Sequence, residues 1–292
     1  RLVSDWSSDV CSSDLSLLSV GIPLGVQYGP NAPRDITNEA TLSVGQDFSL
    51  SGGNIVSTGL LSAPLGELVL MGVAGDVQIQ NASAQTATFS ASNNLILRDS
   101  QIQTIADLRL LAGNTVQMRD SIANPLIVYA VGDLLVQGNQ NIDIFALNHT
   151  SSGLVSGEDM VLRSANAVGG DAHYWSGGSF QIEQLDGSLG ELFSPYDPIV
   201  RAAGDVNFSS YDGNSLHILA GGEVNIPGTI IIRGVETGDA DTAQGIGIVD
   251  PNTGFLVEPN IPLSFNESIS INGGAVPTLD IRAGIDWAQL GG

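Results

Sequence analysis

The sequence predicts an all-β fold, a parallel β-solenoid in which coils of about 20 residues stack into a rod. Three observations carry that expectation. The 292 residues are 42% apolar and only 14% charged, with 36 glycines, and Val, Ile, Leu, Ser and Asn alternate in short runs. This composition is globular and favours strands and turns over helices. A pattern of Gly or Asn, a polar residue, then apolar-any-apolar recurs nine times, and its last eight copies average 21 residues apart. A β-sandwich also has many short strands, but nothing in it requires the same corner at one repeating offset, whereas a solenoid does.

Residues 1–15 contain DWSSDVCSSDL, which has neither the repeat nor the alternation found downstream. The stretch looks like the translation of a sequencing adapter, so residues 1–15 are expected to be non-native and are excluded from fold reasoning, together with Cys11 and Trp6. Residues 16–44 are expected to form an irregular lead-in. Their longest apolar run, LSLLSVGIPLGV, is too short to span a bilayer, and no transmembrane segment is expected.

Residues 45–235 should form the rod. The corners are Gly45-Gln46-Asp47, Gly75-Asp76, Asn93-Asn94, Gly113-Asn114, Gly132-Asp133, Gly157-Glu158-Asp159, Gly178-Ser179, Gly204-Asp205 and Gly222-Glu223. Val77, Leu95, Val116 and Leu134 follow four of them and are expected to climb a single inward column. Nine coils at about 4.8 Å give a rod roughly 40–45 Å long. Residues 184–203 and 236–278 are rich in Gly, Pro and Asp and read as side loops, the second an acidic insertion with a small strand in NESISING. Residues 279–292 return to the rod pattern. The chain is expected to continue beyond this sequence, and the uncapped strand edges of the rod are expected to make it aggregation-prone.

The 31 acidic and 9 basic residues, all nine of them Arg, give a net charge of -22. Such a surface repels phosphate backbones and anionic lipids, which argues against nucleic acid as a partner. Cys11 is the sole cysteine, so no disulfide framework or cysteine zinc site is available.

The densest polar and aromatic stretch is residues 169–178, where Asp171, His173, Tyr174 and Trp175 are candidates for a sugar-binding groove. Aromatic faces stack on pyranose rings, and carboxylates accept hydroxyl protons. The same residues also suit a packed corner. A carbohydrate-cleaving alternative needs converging carboxylates; its candidates are Asp171, Glu183, Asp186, Asp197 and Asp205, with Arg201 as proton acceptor, but they share no repeat offset. Asp239 and Asp241 form an Asp-x-Asp that lacks the later ligands of a calcium loop, so no cofactor is expected and calcium is the weak alternative. His149, His173 and His217 have no metal-ligand spacing, and the N-x-S/T triplets at Asn81, Asn148, Asn207 and Asn266 read as composition.

LSVGQDFSLSGGNIVSTGLLSAPLGELVLMGV (42–73), SGEDMVLRSAN (156–166), SLHILAGGEVNIPGTI (215–230) and TLDIRAGIDW (278–287) together resemble filamentous-haemagglutinin-like exoproteins of two-partner secretion, especially the large cyanobacterial ones. The resemblance implies a right-handed parallel β-helix, export through an outer-membrane transporter pore, and a secreted, cell-surface-associated adhesin or stalk that meets glycans or other cells. Because the candidate carboxylates share no repeat offset, the chain is expected to be non-catalytic. The family's secretion-domain turn has its nearest counterpart in Asp250-Pro-Asn-Thr-Gly254, which sits in a late loop, so this chain is expected to lie downstream of that domain.

Overall fold

A computed structural model describes residues 32–149, 151–196, 198–235 and 276–287, and the backbone of four short strands, Ile248–Val249, Leu256–Val257, Ile261–Leu263 and Glu267–Ile269. The fold is that of the compact unit Pro33–Gly292. It is a parallel β-helix. Every strand pairing along the rod is parallel, from Ile36–Asn38 on Ile55–Ser57 to Leu216–Leu219 on Leu279–Arg282, and no α-helix occurs among the described residues. The two antiparallel pairs, Ile248–Val249 with Leu256–Val257 and Ile261–Leu263 with Glu267–Ile269, lie in the 236–278 insertion.

Each coil has three faces, and on each face one inward column runs the length of the rod. The first-face column is Ile36, Ile55, Val77, Leu95, Val116 and Ile142, followed in register by Val168, Leu192, Tyr211 and Ile230. On the second face Leu42, Leu61, Ala82, Ile102, Val128, Leu154, Tyr174, Val200, Ile218 and Ile281 align. The third carries Phe48, Leu68, Ala87, Leu108, Leu134, Met160, Phe180, Val206 and Val224. These side chains meet in one buried cluster, because period-2 alternation sends every second residue of each strand to the axis. In the end coils the inward residues Ile36, Leu42, Phe48, Leu50, Val224, Ile226, Ile230 and Ile232 are half-buried, and Ile281 in the last strand is exposed and outside the cluster.

The Gly-Asp repeat has a steric and electrostatic cause. At the corner entering the third face, Asp107 Oδ1 accepts the N–H of Asp133 (3.2 Å), Asp133 Oδ1 that of Asp159 (3.1 Å), and Asp159 Oδ1 that of Ser179 (2.7 Å). Ser179 Oγ and then Asp205 Oδ1 continue the ladder to Glu223. Where a glycine precedes the donor, the acceptor lies close to the position a Cβ would take, 2.4 Å at Gly132, 2.2 Å at Gly178 and 2.0 Å at Gly222; before Asp159 the chain has Glu158 instead. The carboxylate acceptors make their bonds stronger than the one accepted by the neutral Ser179 hydroxyl.

Three expectations are corrected. Val77, Leu95 and Val116 do climb one column, but Leu134 stands in the third-face column between Leu108 and Leu134's upper neighbour Met160. The same corner chemistry serves two places: a second ladder, in which Asn54 N–H reaches Asp35, Asp76 N–H reaches Asn54 and Asn94 N–H reaches Asp76, enters the first face. The lead-in 16–44 is not irregular throughout, since Ile36–Asn38 and Leu42–Ser43 already pair with the coil above; the Asp35 corner does the work with no glycine before it. Residues 184–203 do not leave the rod as one loop. Only the turn around Gly187 (φ +84°) does, and Glu191–Ser194 and Ile199–Ala202 are first- and second-face strands.

Candidate functional site

The four residues expected to share a groove are distributed around one coil. Val168–Asp171 ends the first face, and His173–Ser176 is the second-face strand that follows. Alternation along the latter turns Tyr174 into the core, where it is fully buried and packs on Phe180 with ring centroids 5.2 Å apart. It lines no outer surface. Its hydroxyl occupies the space a Cβ on Gly170 would need, at 2.8 Å, and burial, then the nearby Asp171 charge, pushes its ionisation well above the ordinary tyrosine range. His173 and Trp175 point outward from the same strand.

Asp171 sits at the corner and is almost wholly buried. Its Oδ1 accepts from Ser194 Oγ and from the Tyr196 N–H (3.0 Å), both in the coil above. Tyr196 in turn lies on Phe145, with centroids 4.7 Å apart. Burial pushes the Asp171 carboxyl up to about 6, helped by the Asp143 charge; the bonds from Ser194 and Tyr196 and the Arg119 charge pull the other way. Arg119 is ion-paired with Asp143 on the outer side of the same face. The arrangement fastens Ser194 and Tyr196 to the coil below, and it also supplies a carboxyl group that exchanges its proton near neutral pH.

The other carboxylates proposed for catalysis do not join it. Glu183 ends the third face, paired with Arg163 at 2.6 Å. Asp186 is in the exposed turn, where bonds from Ser188 hold its carboxyl below the usual range. Asp205 belongs to the corner ladder entering the third face. Asp197 lies outside the described residues, as do Asp239, Asp241 and the 250–254 turn. Asp171, Glu183 with Asp186, and Asp205 thus occupy three different corners. Among the described residues no group of three His, Cys, Asp or Glu side chains is placed to hold a metal ion. His149 Nδ1 accepts the Ser151 N–H at 3.0 Å in a loop, whereas His173 and His217 stand two coils apart in one outward column of the second face, with Ile199 between them.

What the structure does bring together is Trp175 and Arg201. They are neighbours in the adjacent outward column, and the Arg201 guanidinium stacks 5.0 Å from the centre of the Trp175 ring. Trp287 closes on Trp175 edge-on at 5.1 Å, and its Nε1 donates to the Ala202 carbonyl at 2.9 Å. Arg201 is fully buried, and burial alone lowers its pKa to about 9. The sequence placed Arg201 in a side loop and gave Trp287 no role; their one legible signal was an aromatic residue and an arginine at outward strand positions one coil apart.

A second feature went unread. On the outer side of the third face a groove of about 280 Å³ crosses three coils, lined by Asp107, Asp133 and Asp159 of the corner ladder, by Arg109, Leu135 and Val161 in one outward column, and by Arg163 two residues further along its strand.

No helix among the described residues is long and apolar enough to cross a membrane. Comparison with protein-family models, with curated proteins and with solved structures returns no match.

Proposed function

We propose that the chain is a non-catalytic segment of a large secreted or surface-displayed β-helical exoprotein, serving as stalk and adhesive surface towards glycans or other cells, with an outer-membrane transporter pore as its export partner. The observation that carries this reading is the all-parallel strand pairing from Ile36–Asn38 to Leu279–Arg282, with three inward columns along one rod. A rod of this kind resists bending because each coil is bonded along three strands to the next. Each coil presents outward positions at the same place on the rod, so weak contacts made by several of them sum by multivalency.

A polysaccharide-cleaving β-helix is the second reading. Asp171 favours it, because a carboxyl with a pKa of about 6 is suited to general acid work. Its fixed hydrogen bonds and the scatter of the other carboxylates over three corners weigh for the stalk.

One experiment separates them. The purified chain, immobilised at high density, is offered uronate-rich and neutral glycans, and both capture and chain length of the glycan are measured. Density-dependent capture without shortening supports the adhesive reading. Depolymerisation that is lost in Asp171→Ala replaces it with the enzyme.

A further inference from the structure

One outward position on the first face carries no side chain, and nothing in the fold asks for its absence. The outward column that begins at Thr37 and ends at Ile231 has a side chain in every coil except at Gly169, which lies between Asp143 below and Phe193 above. Gly169 takes no left-handed conformation, and a Cβ there would make ordinary contacts, with the Ile142 carbonyl oxygen at 3.4 Å and with Asp143 Cα and Oδ1 at 3.8 Å. Gly170 beside it differs, since its Cβ would come within 2.8 Å of Leu192 and of the Tyr174 hydroxyl. Packing accounts for Gly170, whereas Gly169 leaves an open notch in the surface.

The residues around the notch differ in chemistry. Above it, Phe193 is 46% exposed, and its ring is not among the atoms nearest the missing Cβ. Towards the corner stand Phe145 and Tyr196, packed on each other and half-buried. Below it, Asp143 gives Oδ2 to Arg119, while Oδ1 borders the notch and has no partner among the described residues. Arg119 Nη1 donates to the Met118 carbonyl at 2.7 Å and the Asp143 carbonyl at 2.8 Å. The vacant group is thus an acceptor held in place by its ion pair, so the matching ligand is a donor. A ligand carboxylate finds the guanidinium already engaged and meets a net charge of -22 on the chain. A cation gains little from a carboxylate whose charge Arg119 balances. A neutral pyranose fits both remaining features, with its C–H face on the Phe193 ring and a hydroxyl donating to Asp143 Oδ1.

We propose that the Gly169 notch, with Phe193 and Asp143, is a subsite for one neutral hexose residue of a glycan. This site presupposes the adhesive reading and narrows its glycans to uncharged ones. Its test uses the full chain in calorimetry against cellotriose, mannotriose and galactotriose, with trigalacturonate and the glucosamine trisaccharide as charged controls. At least one neutral trisaccharide is expected to bind, and neither control. Gly169→Leu fills the notch and is expected to abolish binding while melting within about 2 °C of the parent chain, since its side chain points outward. Phe193→Ala and Asp143→Ala are each expected to weaken binding at least 10-fold. Ile231→Ala, two coils above Phe193's lower neighbour in the same column, is expected to leave it unchanged.

No binding of any neutral trisaccharide, equal or tighter binding of a charged one, or unchanged binding in Gly169→Leu, Phe193→Ala or Asp143→Ala would each overturn the subsite. If the immobilised chain captures neutral glycans and Gly169→Leu captures them equally, the adhesive reading stands and the subsite falls. If a neutral trisaccharide binds as expected but the corresponding polymer is shortened, the subsite stands and the adhesive reading falls.

Discussion

Two corners joining the same pair of faces are built in opposite ways in successive coils. Between Leu97 and Gln101 the chain turns from first face to second through three residues, with Asp99 in the left-handed region at φ 53° and Ser100 Oγ bonded to the Ile79 carbonyl at 2.7 Å. One coil later the turn runs through 120–126, and in the next through 146–152. There Asp120, buried, accepts from Asn148 Nδ2 (2.9 Å), the His149 N–H (2.8 Å) and Ser152 Oγ (2.8 Å) of the coil above. Asp171 does the same for 194–196 two coils further on. The short corner supports itself through backbone geometry. The loops at 148–152 and 194–196 instead take a carboxylate from the coil beneath, and that carboxylate is buried.

The comparison breaks most visibly at Asp120. Asp120→Ala leaves three donors of one loop without their acceptor and is expected to destabilise the rod by about 3 kcal/mol, read from the urea midpoint, with Asp120→Asn recovering part of the loss. Next is the pH response of Asp171. Its native carboxyl keeps its proton to about pH 6 against 3.8 for the ordinary group, so the native state binds the extra proton between those values. The contribution of Asp171 to stability is therefore fullest below about pH 4 and is lost as pH rises through 6, by up to about 3 kcal/mol. Asp171→Asn should remove that contribution, and a parent chain whose stability changes over this window just as that of Asp171→Asn does would refute the burial argument.

The short corner gives a smaller effect. Asp99→Val places a β-branched residue at positive φ and is expected to destabilise by about 1–2 kcal/mol, whereas Asp99→Gly should be close to neutral in the same unfolding measurement. Smallest is the exposed ladder. Asp159→Asn keeps the acceptor for Ser179 and should change stability by no more than about 0.5 kcal/mol, while Asp159→Ala loses it and should destabilise by about 1 kcal/mol.

The alternation of Val77, Ile79 and their equivalents made the coil and its period legible, because inward burial is written directly into every second residue. The corners were less legible for a physical reason. Asp76 and Asp133 perform the same bond at two different corners, so the sequence around Val116 and Leu134 could be joined into one series although the structure assigns them to two faces. Asp35, lacking the glycine, and Glu191–Ser194, preceded by a turn and followed by Pro195, concealed genuine strands. At the candidate site, residue types revealed polarity and aromaticity but not which coil would supply the neighbour. Trp175 finds its cation 26 positions downstream and its edge-on indole partner beyond the insertion, distances over which no local pattern operates.

The corner ladder has a direction. Every acceptor oxygen belongs to a finished coil and every donor N–H to the coil that follows it in the chain. A completed layer is thus a template with its docking points already in place, as a crystal face is for the next sheet of molecules. Growth from the amino-terminal side adds one layer at a time onto an ordered surface, whereas growth from the other side must begin on a layer whose donors still await their oxygens. A chain that emerges from a narrow pore amino end first would be pulled forward by each layer as it sets.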